Sequence, residues 1–512
     1  MITAIINLGL KSVRAIIFDN NGIALCSNME PVTTIINKAW VEQDPNEWIE
    51  KAKNVFIKSL DQIGENLLIE KISFTTSASC LVFINREGTP LRNAIMVSDK
   101  RASKECVTLW AMNEFQEIYK SNSIKPTPDL YIPKILWVLH NERQIYNDCW
   151  KMVSPADYLA YKFGSLLRSD PYSATKFHYN IEIKSYPKVL LEKLNIDFHK
   201  LPSVAEIGAD IGAVNAKFIA HPKLSPNAKI ILSTYDALCS VIGSGATRVG
   251  DVCDVSGTVT SVRLVNDKKV NDPLSRVSTQ EWFDNWLIGG SNNLGGGLIE
   301  WVKQLFFEEN NEAVYQRMEK EASSVRIGAE GLLFLPYLLG ERAPLWNQSA
   351  RGVFFGLERK HRREHMIRAV FESTAFASFQ IMEVMKGLGM NINKLYVSGG
   401  LAQLDIISQI KADIFNVPVV VQDNYESTAL GSYMLTSMSR EQISRGTIDI
   451  RIYGNRKTFY PDSNAHIIYS QMYDLYKSLY QNLEGLFLKR ESLYDSLDNI
   501  QNNYNDEVLQ NL

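Results

Sequence analysis

The chain has 512 residues, which predicts about two to four domains because a single core rarely grows to that size. Apolar and charged residues make up 45% and 22% of the sequence, the proportions of an ordinary globular protein. The formal net charge of −3 provides no basic field, so we expect no nucleic-acid partner.

Cysteine usage and hydropathy indicate the compartment. Charged residues interrupt the apolar N-terminal run, which argues against a signal peptide, and no segment reaches about 18 uninterrupted apolar residues. We therefore expect a soluble protein without a membrane segment. The cysteines lack C-x-x-C spacing, which favours reduced thiols in the cytoplasm over a disulfide framework. They are Cys26, Cys80, Cys106, Cys149, Cys239 and Cys253.

The first half begins with short strands. Residues 2–7 and 13–18 are β-branched runs, and an Asp-Asn-Asn-Gly hairpin signal leads into a third strand at residues 23–27. Asp44 or Asn46 could cap the helix that follows. The later elements are a helix to about residue 63, strands at 71–76, 80–84 and 94–97, a helical region to about 164, and a mixed region to 224.

The stretch from residue 229 to residue 262 joins the two halves. It reads as a strand, a turn carrying Asp236, a helix of small residues, and a second strand interrupted by Ser256-Gly257-Thr258. An acid at a strand end is either a helix N-cap or a candidate general base. A Ser-Gly-Thr turn is either an ordinary hairpin or a phosphate cradle. The strand–glycine turn–strand pattern of the N-terminus recurs here, which predicts a duplicated architecture.

Strands and helices alternate through the second half, as in an α/β protein. Past Pro461 the chain is polar and helical. The predicted elements before it are helices at residues 298–308, 365–388, 406–415 and 427–438 and strands at 331–337, 394–398 and 417–421.

Two metal or nucleotide motifs are incomplete. His361 and His365 have the H-x-x-E-H spacing of a zinc peptidase, but the neighbouring basic residues would repel a cation. Gly243 and Gly245 lack the third glycine of a dinucleotide fingerprint, and no Walker A sequence occurs. We therefore expect neither a zinc hydrolase nor a P-loop nucleotide site.

Several other motifs occur in order between about residues 2 and 440. They are Glu42-Gln43-Asp44-Pro45 with Trp48, Asp99-Lys100-Arg101-Ala102, Pro133-Lys134 with Trp137, Asp236 with Gly243-Ser244-Gly245, Gly340-Glu341-Arg342-Ala343-Pro344, Gly399-Gly400, and Glu426-Ser427-Thr428-Ala429-Leu430-Gly431. Together they resemble the FGGY carbohydrate kinases of the actin/Hsp70/hexokinase-like ATPase superfamily.

The resemblance implies an α/β fold with two ribonuclease-H-like (actin-like ATPase) domains flanking a central cleft. Sugar would bind mainly to the first domain and ATP mainly to the second. We place the N-terminal domain at residues 1–247, the C-terminal domain at 248–455, and a polar helical extension at 456–512. Dimers are common in the family, so a homodimer is an open expectation.

The resemblance also implies roles for single residues. Asp236 matches the catalytic base, which takes the proton of a sugar hydroxyl as that oxygen attacks the γ-phosphate of ATP. Magnesium would bridge the phosphates, with Asn7 and Asp236 near it. The implied ATP contacts are Gly9, Lys11, Ser12, Arg14, Gly257, Thr258, Gly296, Gly399 and Gly400, and the implied substrate contacts are Ala78, Ser79, Asp99, Arg101 and Asp236.

The first phosphate loop departs from the family pattern. Where the family has Asp-x-Gly-Thr-Thr-Ser, this chain has Asn7-Leu8-Gly9-Leu10-Lys11-Ser12. Asn7 lacks the charge that helps hold magnesium, Leu10 lacks a hydroxyl, and Lys11 could bind phosphate or compete with the metal.

Two functions therefore stay open. One is an ATP-dependent kinase of a small sugar, polyol or sugar acid, xylulose- or gluconate-like. The other is a catalytically weakened homologue that binds sugar or nucleotide and acts as a regulatory protein. Residues 286–293 are similar to the corresponding stretch of gluconate kinases, which gives a modest indication of the substrate.

Overall fold

The computed structural model describes residues 2–510 apart from residues 38, 123, 258, 310, 312, 423–425, 445–447 and 449. The strands of the first half are β1 Ile2–Leu8, β2 Ser12–Phe18, β3 Ala24–Pro31, β4 Ile35–Asn37, β5 Trp40–Gln43, β6 Ile69–Thr76, β7 Val82–Ile84, β8 Ala94–Ile95, β9 Lys151–Val153, β10 Arg168–Ser169, β11 Ser203–Val204, β12 Asp210–Ala213 and β13 Leu224–Ile231. Its helices are α1 Pro45–Gln62, α2 Ser103–Trp110, α3 Asn113–Asn122, α4 Tyr131–Asn141, α5 Arg143–Asp148, α6 Pro155–Phe163, α7 Pro171–Ala174, α8 Lys188–Lys193 and α9 Asp236–Ser244.

The second half continues the alternation. Its strands are β14 Asp251–Ser256, β15 Thr260–Asn266, β16 Ser278–Trp282, β17 Asn285–Ser291, β18 Leu333–Leu335, β19 Val353–Phe355, β20 Lys394–Ser398, β21 Val419–Gln422 and β22 Arg456–Phe459. Its helices are α10 Gly296–Phe306, α11 Ala313–Ser323, α12 Arg363–Gly387, α13 Asp405–Phe415, α14 Ser427–Ser437, α15 Arg440–Ser444 and α16 Ser463–Gln510. Within the described residues, none of these helices combines the length and apolarity needed to cross a bilayer.

The two main sheets have the same core topology, which confirms the duplicated architecture. The first sheet has the order β12-β13-β6-β1-β2-β3, and the second has the order β16-β17-β15-β14-β20-β21-β22. Each sheet contains an antiparallel meander, which is β1-β2-β3 in the first sheet and β14-β15-β17 in the second. The first strand of each meander also pairs, along its other edge, with the nearer of two parallel strands. These are β6 and β13 in the first sheet and β20 and β21 in the second. Each sheet is thus built from one copy of the repeated pattern.

Alternation along β1 and β2 buries both faces of the first sheet. Ile6 and Ile17 point to the core that contains Trp48 of α1, whereas Ile5 and Ile16 point to a core that contains helices α9 and α14. Successive side chains of a strand point to opposite faces, so these nearly continuous apolar runs are typical of a strand covered on both sides. The second of these cores also receives residues of the second sheet, and it joins the two domains.

Helices α9 and α14, one from each domain, cross at two glycines. A Cβ atom on Gly243 would lie 1.7 Å from the Ser427 carbonyl oxygen, and a Cβ atom on Gly431 would lie 1.8 Å from that of Cys239. Only glycine allows the two backbones to approach this closely. The crossing fixes α9, and therefore the residue at its first turn, against the second domain.

The segment predicted as a C-terminal extension is helical, as expected, but it packs as part of the second domain. β22 pairs with β21, with Thr458 opposite Val420. Tyr469, Tyr473 and Tyr476 of α16 are buried in the core of that domain. Residues after 455 therefore complete a sheet and a core instead of forming a separate appendage.

Candidate active site

Asp236 is the first residue of α9, and Tyr235 occupies the N-cap position. The carboxylate is half-buried, and its Oδ2 accepts a hydrogen bond from the Ser77 hydroxyl at 3.0 Å. Its Oδ1 accepts a hydrogen bond from the Ala237 amide at 2.7 Å. Asp236 is therefore not the N-cap, and Ser77 holds its side chain towards the end of β6.

The protonation equilibrium of Asp236 suits a general base. Burial raises its pKa to about 6, while the Ser77 hydroxyl, the Ala237 amide and the charge of Lys176 each act in the opposite direction. A base works best when its pKa lies near the working pH, because it is then largely ionised yet accepts a proton readily. Asp236 combines that pKa with a side chain that is only partly buried.

The first phosphate loop lies beside this carboxylate. The Gly9 amide closes the loop by donating to the Ser12 carbonyl at 2.9 Å, and the Ser77 amide donates to the Leu8 carbonyl at 3.0 Å. The buried Oδ1 of Asn7 has no hydrogen-bond partner among the described residues. An unpaired oxygen at the start of this loop fits magnesium, which prefers oxygen ligands and often takes only one or two from the protein. Asn7 and Asp236 would therefore hold it.

Two cations of this loop face the second domain. Lys11 is exposed and interacts electrostatically with Glu300 of α10. Arg14 of β2 forms an ion pair with Glu426, which directly precedes α14, and also contacts the Met29 sulfur. The resemblance implied that Arg14 contacts the γ-phosphate, so this ion pair would compete with that contact.

The second phosphate loop meets two other glycine turns. Gly399 has φ 86°, and a Cβ atom there would lie 2.6 Å from the Ser256 carbonyl oxygen. The Gly296 amide donates to the Gly257 carbonyl at 2.7 Å, and a Cβ atom on Gly296 would lie 2.8 Å from that oxygen. Gly400 faces open space. The structure thus places Gly257, Gly296 and Gly399 close together, while Thr258 lies outside the described residues.

A buried ion pair lies beneath the second loop. The Lys411 ammonium of α13 donates to Asp254 Oδ2 at 2.6 Å and to the Ser256 hydroxyl at 3.0 Å, and neither charged side chain is exposed. Sequence reasoning missed both residues, because each lies inside an apolar run and 157 positions separate them. The pair connects α13 to the strand that ends in the phosphate loop.

The predicted sugar-contacting segment follows β6. Ser79 has φ 65°, an uncommon backbone conformation for a residue with a side chain. The buried Lys134 ammonium donates to the Ser79 carbonyl and, at 2.9 Å, to the Met96 carbonyl. Burial lowers the pKa of Lys134 to about 8. Lys134 therefore fixes the strand end at which Ala78 and Ser79 lie, next to Ser77.

Asp99 and Arg101, the other predicted substrate contacts, belong to a buried network. Asp99 accepts hydrogen bonds from the Val41 amide at 2.6 Å, the Arg101 amide at 2.9 Å, and Nε and Nη2 of Arg101 at 2.9 and 2.8 Å. Four donors fill the acceptor sites of a carboxylate. The Arg101 guanidinium also lies 4.4 Å from the Trp40 ring and 4.9 Å from the Trp137 ring. This gives Asp99 a structural role, and a substrate contact by these residues stays a prediction.

The zinc motif shows no metal geometry. His361 and His365 lie with ring centroids 5.4 Å apart, and the Glu330 and Glu364 carboxylates are 4.0 Å from His365. Among the residues that the structure describes, no three or more His, Cys, Asp or Glu side chains are placed to hold a metal ion.

Two functional candidates beside Asp236 were also missed. Ser77 bonds the carboxylate directly, and its position after a strand was the only sequence signal. Lys176 lies 4.9 Å from the centre of the Tyr235 ring, in a segment that the sequence described only as mixed. Contacts between residues 159 positions apart, as for Ser77 and Asp236, depend on the sheet topology.

Comparisons with known proteins identify the family of this chain. Residues 2–243 match the model of the N-terminal domain of the FGGY family of carbohydrate kinases, and residues 255–440 match that of its C-terminal domain. A xylulose kinase of Staphylococcus epidermidis is 29% identical over 495 residues, covering 94% of this chain and 97% of its own. A gluconokinase of Bacillus licheniformis is 26% identical over 510 residues, covering 96% and 98%.

Solved structures have the same fold. The gluconate kinase of Lactobacillus acidophilus superposes with a TM-score of 0.84 at 24% identity, covering 96% of this chain and 100% of its own. The ligand-bound xylulose kinase of the same organism also gives 0.84 at 24% identity, covering 95% and 99%. The fold is therefore α/β with two domains of the actin-like ATPase type, as expected.

The chain belongs to the FGGY family of carbohydrate kinases. Both halves of the family pattern are present, and the relatives are matched over nearly their whole length. The chain is thus a carbohydrate kinase, and kinases of this family use ATP as the phosphoryl donor.

Proposed function

We propose that the protein transfers the γ-phosphoryl group of ATP to a hydroxyl of a small sugar, polyol or sugar acid, with Asp236 as the general base. The observation that carries this proposal is the position of Asp236. Its half-buried carboxylate lies at the start of α9, next to the first phosphate loop and held by Ser77. Relatives named xylulose kinase and gluconokinase support the acceptor class.

The reaction needs little covalent help from the protein. Asp236 accepts the proton of the substrate hydroxyl as that oxygen forms a bond to the γ-phosphorus, and the bond between this phosphorus and the bridging oxygen of ADP breaks. Bound magnesium supplies neutralisation of phosphate charge. The glycine turns at Gly257, Gly296 and Gly399 pack backbone against backbone and would present that backbone to the phosphates. The contact between α9 and α14 holds the base against the domain that carries these turns.

The second candidate is a weakened homologue that binds sugar or nucleotide without turning it over. The ion pair between Arg14 and Glu426 favours it, because an arginine held in this way is not free for the γ-phosphate. Asn7 also favours this candidate, because its uncharged side chain stands where the family has an acid that helps hold magnesium. Tight ATP binding without turnover on any substrate would support this candidate.

The test is a coupled ADP-release assay on a panel of ketoses, polyols and aldonates. Asp236→Asn keeps the size of the side chain but removes its basicity, so we expect kcat to fall by about 10²- to 10⁴-fold. Asp284→Asn is the matched control, because Asp284 is an exposed aspartate of the second domain and should leave kcat unchanged. Undiminished turnover by Asp236→Asn would contradict the proposal.

A cytoplasmic location fits the thiols, since all six cysteines are free and five of them are buried. A homodimer stays a prediction.

A further inference from the structure

Four cations interact electrostatically with one another, and one of them, Lys176, also interacts with Asp236. They are Lys100, Lys176, Arg263 and Arg342, and none forms an ion pair within 4.0 Å among the residues that the structure describes. Each is only partly exposed. The buried Lys411, by contrast, is paired with Asp254. Unpaired desolvated charges are costly, so this group calls for a negatively charged ligand.

Lys176 is the cation closest in sequence and contact to the base. Its ammonium lies 4.9 Å from the centre of the Tyr235 ring, and Tyr235 directly precedes Asp236. Tyr235 is itself held by a hydrogen bond of 3.2 Å from its hydroxyl to Gln280 of β16. Lys176 therefore lies between the first turn of α9 and the second domain.

Arg342 approaches from the second domain. Its Nη2 donates to the Asn292 carbonyl at 2.8 Å, which fixes the guanidinium, while its buried Nε has no partner among the described residues. The neighbouring Glu341 accepts from the Asn293 and Arg342 amides, and burial raises its pKa to about 7. Glu341 therefore neutralises Arg342 only in part.

The positive charges of these four cations outnumber the negative charges of the carboxylates around them. Burial raises the pKa of Asp129, but Arg342, the Thr127 hydroxyl, Lys134 and Lys100 outweigh this effect, so its pKa lies below the usual value and it is ionised. Burial, with the charges of Arg263 and Arg342, lowers the pKa of Lys176 to about 8, against the attraction of Asp129 and Asp236. Three carboxylates, those of Asp129, Asp236 and the partly ionised Glu341, thus lie among the four cations, and the surplus charge is positive at neutral pH.

We propose that the substrate is a sugar acid whose carboxylate is bound between Lys176 and Arg342 while one of its hydroxyl groups faces Asp236. This inference rests on the proposed kinase function and narrows its substrate class. A carboxylate would complete the charge balance and accept charge-assisted hydrogen bonds from both cations. A neutral ketose or polyol would leave the cations unpaired.

The γ-phosphoryl group of ATP is the competing anion. The glycine turns that would cradle phosphates belong to the second domain, at Gly257, Gly296 and Gly399, whereas Lys176 belongs to the first domain. The two ligands differ in their kinetic effect. A lysine that binds the sugar carboxylate affects acid substrates alone, and a lysine that binds the γ-phosphate affects every substrate and the KM for ATP.

The kinetic test compares D-gluconate with D-glucitol, which share six carbons and differ in the charge of one end. We expect the wild type to prefer gluconate by about a hundredfold or more in kcat/KM. Lys176→Met should lower kcat/KM for gluconate by about 10- to 100-fold and leave the KM for ATP unchanged. That loss corresponds to the free energy of one or two charged hydrogen bonds. Lys188→Met is the control, because Lys188 is exposed and lies over the Phe198 ring at the same 4.9 Å. Equal losses on both substrates, or a raised KM for ATP, would overturn the inference.

Calorimetric binding without ATP separates this inference from the kinase proposal. Gluconate, xylonate and arabinonate are titrated into the wild type, Lys176→Met and Lys188→Met, each checked for an unchanged unfolding midpoint. Binding of an aldonate that is weakened only in Lys176→Met supports the acid site even if no substrate is turned over. Suppose that the protein turns over D-xylulose, that Asp236→Asn abolishes this turnover, and that no aldonate binds. That result would support the proposed kinase function and refute the proposed binding site for a sugar acid.

Discussion

Replacing Lys411 by methionine should destabilise the second domain by about 3–5 kcal/mol, the usual cost of removing one partner of a buried ion pair. Methionine keeps most of the length and packing of lysine, so the change removes mainly the charge. Asp254 would then be left in a fully buried position, with the Ser256 hydroxyl as its remaining side-chain donor. The penalty arises from that unpaired carboxylate.

The double variant Lys411→Met with Asp254→Leu should recover most of this loss, because apolar replacement of a whole buried pair is often neutral or better. Lys457→Met is the surface control. Its partner is Asp405, and both side chains are more than half exposed, at 53% and 59%, so the cost should stay below about 1 kcal/mol.

Urea unfolding followed by tryptophan fluorescence measures these differences, with the slope of the transition compared between variants. For a domain of this size, about 3–5 kcal/mol corresponds to a fall in Tm of roughly 6–20 °C. A single variant within about 0.5 kcal/mol of the wild type would refute the reasoning. So would a double variant as unstable as the single one, because the loss would then come from packing and not from charge.

Three further predictions address the base, the metal and the domain contact. With the pKa of Asp236 raised to about 6 by burial, kcat/KM should fall below that pH as the base takes up a proton, and Ser77→Ala should move this acid limb to higher pH in a pH–rate profile. Asn7→Asp should lower the magnesium concentration needed for half-maximal activity, since it adds a charged oxygen beside Asp236; an unchanged requirement would show that the metal is held elsewhere. Gly431→Ala should lower Tm by an amount equivalent to about 1–3 kcal/mol or more, because the new Cβ atom would lie 1.8 Å from the Cys239 carbonyl oxygen. Gly485→Ala on α16 is the control. Its Cβ atom would meet no atom within 4 Å, so this variant should not lower Tm.

The fold was largely predictable because its signals are local. The strand at residues 394–398 and the helix ending at Phe415 lie where the apolar pattern placed them. The capped start of α1 was also correct, since the Asp44 side chain accepts from the Asn46 amide at 2.8 Å. The short strand β9, within a region predicted to be helical, was missed because it pairs with β7, about 70 residues earlier.

The sequence can propose a site residue only where that residue carries a local signature. Asp236 and the glycine turns have such signatures, and the structure places Gly257, Gly296 and Gly399 close together. No local signature marks Ser77, Lys176 or Lys411, because their roles depend on partners that are distant in sequence and that the fold brings close. The C-terminal helix shows the same limit: a polar composition indicated an extension, while buried tyrosines along one side make it part of the core.

The altered first loop gains meaning from this arrangement. In isolation, Asn7 and Lys11 suggest a degraded phosphate site. In the structure the strand ends around them are intact, since the Gly9 turn closes, Ser77 joins Leu8 to Asp236, and the Asn7 oxygen is buried without a partner among the described residues. Leaving a polar atom buried and unpaired costs about 1–3 kcal/mol, and a bound cation or its water would offset that cost. The retained oxygen therefore favours a loop that still serves a cation or its water, and with it the active kinase over the weakened homologue.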